Sequence, residues 1–412
     1  MATAFATTQG DLADRRTAAQ SIVSPFTNSI ELGYPFGILK RFAQYRQQWV
    51  SLLDQRAAFD SFRFGAQRVA SRPGRQVYVL AIGESSRRDH WQLFGYPRPT
   101  NPELARRSDN ITLLTDMVSP WPVSMMAVPM VVTRKPPSEK KITWIEPSII
   151  AAMKEAGFET WWISNQVFLG ESDASVSLFA LQADHALFLN HSSWSRAGSY
   201  DENLLHPFRE ALASSKRDMF IVLHMMGSHE GYDLRYPPSF ASFRPTLADD
   251  TSSVPSDERQ INSYDNTIRY TDNVLDSVIR ILDENAEISA LWYQSDHGES
   301  LHTPACDMRG HGHGTIYEFQ IPAFVWYSAA YGKAFSDRVE TLRGNATKPM
   351  TSAVTFESLV DLAGIDFPGH DETMSVFSPS WHPRRRTVHG FWEVDIDSAA
   401  VTNNCRMPMP PQ

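Results

Sequence analysis

Two short clusters in this 412-residue chain carry the residue types that metal-assisted chemistry needs. One is Ser295-Asp296-His297-Gly298-Glu299; the other is Gly83-Glu84-Ser85-Ser86. Zinc binds imidazole nitrogen and carboxylate oxygen, and a catalytic zinc keeps one position for a nucleophile or substrate. Glu84, Asp296 and His297 would supply an O, O, N set. An Asp-His pair standing alone is more often a turn or a helix cap. This pair has company. His302, His311 and His313 follow it, the last two in Arg309-Gly310-His311-Gly312-His313-Gly314. Upstream lies His224-Met225-Met226-Gly227-Ser228-His229. Any one of these histidines reads more readily as structural, but the group favours a site. Ser85, Ser86, Ser124 and Ser300 are hydroxyls of the type a nucleophile needs. The Gly-x-Ser-x-Gly elbow of serine hydrolases is absent, because Gly83-Glu84-Ser85 runs on into Ser86-Arg87. There is also no Walker A loop.

Both acid clusters follow apolar runs that read as strands. Such runs occur at Val77–Ile82, Ile111–Leu114, Thr160–Ile163, Met219–Leu223, Ala290–Gln294 and Ala323–Tyr327. Their nearly continuous apolar character suits strands buried on both faces. Helical spacing lies between them, at Ser148–Ala156 before Gly157 and at Thr267–Leu282. The alternation predicts an α/β fold, a three-layer α/β/α sandwich around a largely parallel sheet. Ligands of open α/β sheets sit outside the carboxyl ends of the strands, where these clusters fall. Glycines beside both clusters permit the turns that aim the side chains.

The remaining chain is read by composition. Residues 1–74 are expected to be a polar tail followed by amphipathic linker helices over 38–70, broken by Ser71-Arg72-Pro73-Gly74. Residues 75–400 are expected to form the main domain, which holds both clusters, and 401–412 a disordered tail. Residues 233–260, rich in Pro, Ser and Asp, read as a long surface loop. The net charge of −9 argues against nucleic acid as a partner. Two cysteines, Cys306 and Cys405, exclude a disulfide framework; one bridge is possible, but free thiols are the plainer expectation. No stretch approaches the ~20 apolar residues of a membrane helix, and the first thirty residues lack a signal-peptide core.

Gly83-Glu84-Ser85-Ser86-Arg87-Arg88-Asp89-His90 and Gly95-Tyr96-Pro97-Arg98-Pro99-Thr100-Asn101-Pro102 together resemble the opening signature of bacterial phosphoethanolamine transferases. These are sulfatase-like members of the alkaline-phosphatase superfamily. Further matches keep the family order: Trp162-Ile163-Ser164-Asn165-Gln166, His224 to His229 with Arg235-Tyr236-Pro237, Asn262-Ser263-Tyr264-Asp265-Asn266, Ser295 to Glu299, and His313-Gly314 before Ile321-Pro322. The overall look is nearer the transferases that decorate the lipopolysaccharide core than those acting on lipid A. The resemblance implies Zn2+ held by Glu84, Asp296 and His297, with Ser124 as nucleophile and fourth ligand. The family usually has threonine at that position. His229 and His313 match histidines that contact the transferred phosphate, and His311 competes with His313 for the role. Asn165, Gln166 and His224 fall in the substrate region. The implied donor is phosphatidylethanolamine, and the acceptor is lipopolysaccharide or another envelope glycan. A second metal during turnover is also implied, as is a place at the periplasmic face of the inner membrane. Two other readings stay open: a phosphodiesterase of the same superfamily, and a catalytically silent binding module.

Overall fold

The six apolar runs, and one the pattern does not reveal, pair into a single sheet in the computed structural model. Described are residues 54–69, 74–142, 144–168, 174–191, 199–249, 254–285 and 288–411, with positions 46 and 50. The chain divides after Ala57, and the sheet, its helices and the site all belong to the unit Ala58–Gln412. The strands of the main sheet are β1 (Gln76–Gly83), β2 (Ile111–Leu113), β3 (Glu159–Val167), β4 (His185–Asn190), β5 (Met219–His224), β6 (Ile288–Ser295) and β7 (Ala323–Tyr327). Their order is β2-β7-β6-β1-β5-β3-β4. β1 pairs in parallel with β5 and β6, and β3 with β5 and β4. Only β7 runs against its neighbours. The sheet is thus largely parallel, as expected.

β1, β5 and β6 are buried along their whole length, which explains why their sequences show no polar alternation. Val77, Val79, Ile221, Leu223, Leu291 and Tyr293 pack into the main core with Ile268, Leu275 and Leu282 of the long helix. β4 escaped the sequence reading because it is an edge strand. His185-Ala186-Leu187-Phe188-Leu189-Asn190 is half exposed and carries polar residues at both ends.

The helices that matter to the site are α1 (Ser124–Val132), α2 (Ile149–Glu155), α3 (Leu205–Ser214), α4 (Ser256–Asn285) and α5 (Thr355–Ala363). α2 and its positive-φ Gly157 match the expected helix and stop. α4 begins at Ser256, well before the expected Thr267. Its first turn is polar and partly exposed, and the next two are largely polar yet buried. Asn262, Asp265 and Asn266 are 3%, 0% and 0% exposed, so the periodicity of apolar residues could not reveal them. Of the 233–260 stretch expected as a surface loop, Ser256 onward is helix and Arg235, Tyr236 and Thr246 are buried, while 250–253 lie outside the described residues.

Two expectations at the chain ends are corrected. Residues 401–412 were expected to be disordered. Instead Ala400–Val401 pairs with Pro408–Met409, and Cys405 forms a disulfide with Cys306, so neither cysteine is a free thiol. The hairpin buries too few apolar residues to announce itself in sequence; the bridge and the Ile316 N–H donated to the Arg406 carbonyl hold it. At the other end, Phe59 stacks on Phe179, Phe64 packs on Phe356 and Phe367, and Gln67–Arg68 pairs with Ile365–Asp366. The domain thus takes in residues assigned to the linker. Most of the linker and tail expectation lies outside the described residues. Among the described residues no helix is long and apolar enough to cross a membrane.

Candidate metal centre

Four neighbouring strands, β6, β1, β5 and β3, end at the same edge of the sheet and deliver most of the expected side chains to one place. Glu84 follows β1, and Asp296 and His297 follow β6; all three are buried. The backbone turns sharply to aim them. Ser85 takes a left-handed φ of 55°, unusual for a side-chain-bearing residue, and its N–H donates to Asp296 Oδ1 at 3.2 Å. The Ser85 hydroxyl donates to Glu84 Oε1 at 2.8 Å. Gly227, on the loop after β5, has φ 52°, and a Cβ there would stand 2.7 Å from the Glu84 carbonyl oxygen. Only glycine lets the two loops approach this closely.

Ser124 opens α1. Its hydroxyl lies 3.0 Å from Glu84 Oε2, to which it donates, and 3.2 Å from His297 Nε2. The His297 Nδ1 hydrogen goes to the Gly298 carbonyl at 2.7 Å, which leaves Nε2 with its lone pair facing the centre. Nε2 is also 3.4 Å from Glu84 Oε1 and 3.5 Å from Asp296 Oδ2. Asp296 Oδ1 is satisfied by the Ser85 and His297 N–H groups, but Oδ2 is buried with no hydrogen-bond partner. A buried carboxylate oxygen without a partner is costly. A cation in the space it faces removes that cost, so the donor set fits a divalent metal. Burial, then the charge of Glu84, push Asp296 up to about 6, as two acids without a cation between them should be. Zinc suits this mix of carboxylate oxygen and imidazole nitrogen.

His311 comes closer than the sequence suggested. Its ligand atom lies with those of Glu84 and His297 in a group spanning at most 4.8 Å. Its ring is 4.5 Å from that of His297 and 5.6 Å from that of His229. Burial disfavours its charge, but the hydrogen bond and charge of Glu299, with Glu84 and Asp296 behind, outweigh this and raise the imidazole to about 9. His229 goes the other way. Burial, then the positive charge of Arg235 and His311, push it down to about 4.

The other expected residues are placed differently. His313 points its Nε2 at the Arg309 carbonyl, 2.7 Å away, and is partly exposed. Asn165 spends its amide on Asp201 and the Ser199 carbonyl. Gln166 donates to the Met225 carbonyl. His224 is buried against Trp162 and Ser164, and its burial pushes it down to about 4. These three brace the strand ends.

Two site-building residues, Asp201 and Glu299, were not among the candidates read from the sequence. Asp201 is buried and receives the Met226 and Gly227 N–H groups, fixing the loop that passes over Glu84. No spacing marks it, since its partners, these two N–H groups and the Asn165 amide, are distant in sequence. Glu299 is buried and joins the Tyr232 hydroxyl at 3.1 Å to His311 at 3.3 Å. It was in view only as the end of the Ser295–Glu299 motif.

Comparison with known proteins assigns the chain to a family. The sulfatase family model matches residues 76–365, and the chain belongs to that family. Within it, the chain is similar to the phosphoethanolamine transferase EptC of Escherichia coli K12, 29% identical over 373 residues, 87% of this chain and 63% of that protein. Phosphoethanolamine transferase CptA of Salmonella typhimurium is 28% identical over 91% of this chain and 66% of its own length. The chain therefore spans a little under two thirds of these relatives. The crystal structure of the C-terminal periplasmic domain of Escherichia coli EptC in complex with Zn superposes with a TM-score of 0.71 and 27% identity, over 82% of this chain and 97% of that one. An alkaline phosphatase superfamily protein from Vibrio parahaemolyticus shares the fold at a TM-score of 0.53.

Proposed function

We propose that this chain transfers phosphoethanolamine from phosphatidylethanolamine to a cell-envelope acceptor, lipopolysaccharide core or lipid A, by way of a phosphoserine at Ser124. The observation that carries this reading is the position of the Ser124 hydroxyl, between Glu84 Oε2 and His297 Nε2 at 3.0 and 3.2 Å, at the start of a helix. The zinc complex of a relative and the names of both relatives support it. Zinc held by Glu84, Asp296 and His297 would lower the pKa of the Ser124 hydroxyl and offset charge growing on the phosphoryl oxygens.

The remaining chemistry belongs to the protein. Ser124 Oγ gives up its hydrogen and attacks phosphorus, an O–P bond forms, and the bond to the diacylglycerol oxygen breaks with its electron pair on that oxygen, which takes up one proton, so diacylglycerol leaves as the neutral alcohol. The partial positive charge at the N-terminus of α1 favours the negative charge that develops. His311, carrying its proton at neutral pH, donates a hydrogen bond to the phosphoryl group. His229, neutral there, accepts the proton of the incoming acceptor hydroxyl. A pair of histidines whose pKa values are driven apart divides acid and base roles. The acceptor oxygen then displaces Ser124. By likeness to the periplasmic domain of EptC, the reaction is assigned to the periplasmic side of the inner membrane.

The test is release of diacylglycerol from phosphatidylethanolamine vesicles by the purified chain, followed by mass spectrometry of a supplied lipopolysaccharide. Expected are diacylglycerol release that a chelator abolishes and zinc restores, and a phosphoethanolamine mass gain on the lipopolysaccharide. If free phosphoethanolamine is the sole product with acceptor present, the chain is a hydrolase and the transferase reading is wrong.

A further inference from the structure

We propose that Glu230 is the counter-charge for the donor's ammonium group, and hence the residue that selects ethanolamine over uncharged headgroups. The proposal rests on the transferase reading. Glu230 directly follows His229 on the loop after β5 and is exposed. Its Oε2 lies 3.5 Å from where a Gly310 side chain would begin, and Glu299 Oε1 lies 3.9 Å from the same point. Gly310 is bridged to Ser300 and immediately precedes His311, whose ring stands 4.5 Å from that of His297. Gly310 has φ +79°, a conformation that favours glycine, so the space in front of both carboxylates stays clear of any side chain.

The charges around the centre leave this role to Glu230. Glu84 and Asp296 face the cation-binding space. Glu299 is occupied by the Tyr232 hydroxyl and His311, and Asp233 by the Tyr236 hydroxyl. The Glu230 carboxylate has neither a hydrogen-bond donor nor an ion-pair partner among the described residues; only its backbone carbonyl is engaged, by Arg235. Phosphoethanolamine is a zwitterion with a short ethylene arm between its charges. The phosphoryl end meets His311, and the arm sets the ammonium toward the next free negative charge. A rim pair of this kind contributes about 1 kcal/mol, or about fivefold in rate constant. That is small in binding but sufficient for selection between isosteric headgroups.

Two phosphodiesters separate the possibilities: the para-nitrophenyl ester of phosphoethanolamine, and the para-nitrophenyl ester of ethyl phosphate, which lacks the ammonium. Release of para-nitrophenolate gives kcat/KM for each. The zinc-loaded wild-type chain is expected to prefer the ammonium substrate. Glu230→Gln should lose about fivefold on that substrate and nothing on the ethyl analogue, and Glu230→Lys should invert the preference. A merely structural role would lower both substrates together. Equal losses on both, or an unchanged preference in an active variant, would overturn the inference and leave the transferase reading standing. A zinc-loaded wild type that cleaves neither ester would instead overturn the transferase reading, and the inference with it.

Discussion

In the proposed mechanism Ser124, His229 and His311 divide the chemistry among them, and their environments fix when each can act. Under the proposed roles, His229 must be neutral and His311 protonated. His229 is held down to about 4 by burial, by Arg235 and by His311 itself, so it is a base across the whole neutral range. His311 is held up to about 9 against its burial, chiefly by Glu299, so it keeps its proton over the same range. Transfer should therefore rise as pH passes about 4, stay flat through neutrality and fall beyond about 9. His311→Gln is expected to lose the alkaline limb and about 10²-fold in rate. Initial rates across the pH range in both proteins check this; an alkaline limb surviving in the variant would assign the proton elsewhere. The acid and histidine clusters were legible because metal-ligand types recur just past strand runs. The choice between His311 and His313 was not, because spacing cannot tell which ring turns inward. Asp201 was invisible for the reason that its work is to accept N–H groups from residues distant in sequence.

At the scale of elements, the site depends on how closely the loops after β1 and β5 pack. A methyl group at Gly227 would meet the Glu84 carbonyl oxygen at 2.7 Å and nitrogen at 2.8 Å, on a backbone at φ 52°. Gly227→Ala should cost about 1–3 kcal/mol of stability and, under the proposed ligand set, weaken zinc binding, since it displaces the turn that carries Glu84. Gly344, near the end of the helix Ser336–Asn345, has nothing within 4 Å of its would-be Cβ. Gly344→Ala should stabilise by about 0.5–1 kcal/mol and leave zinc binding alone. Thermal unfolding and zinc titration of the pair check both signs; equal effects would show that the close approach is unimportant. Strands buried on both faces were easy to read from their unbroken apolar runs. The second and third turns of α4 were not, because Asp265 is buried through bonds to His90, Tyr96 and Arg98 rather than through apolar packing. The Cys306–Cys405 bridge was likewise beyond two cysteines counted in sequence, since pairing depends on a hairpin that only the fold brings up.

Across the whole molecule, metal occupancy and stability should be linked. Without a cation, Asp296 titrates at about 6 when folded, above the ordinary carboxylate value of about 3.9. A raised acid pKa means that the folded protein binds the proton more tightly. This contribution to stability is fully present below about pH 4 and is lost as pH rises through about 6. A cation removes the penalty by taking the place of the proton. The gain in Tm on adding zinc should therefore be larger at about pH 7 than at about pH 5. Melting curves with chelator and with zinc at both pH values test it; equal gains would mean that Asp296 is not a ligand.

Under the proposed function Ser124 carries the phosphoethanolamine group between donor and acceptor. Intact-mass spectrometry of the zinc-loaded chain, incubated with phosphatidylethanolamine and no acceptor, tests it most directly. Wild type should gain the mass of one phosphoethanolamine, located on Ser124 by peptide fragmentation, and Ser124→Ala should gain none. An adduct of equal yield in both proteins, or one located on another residue, would contradict the account.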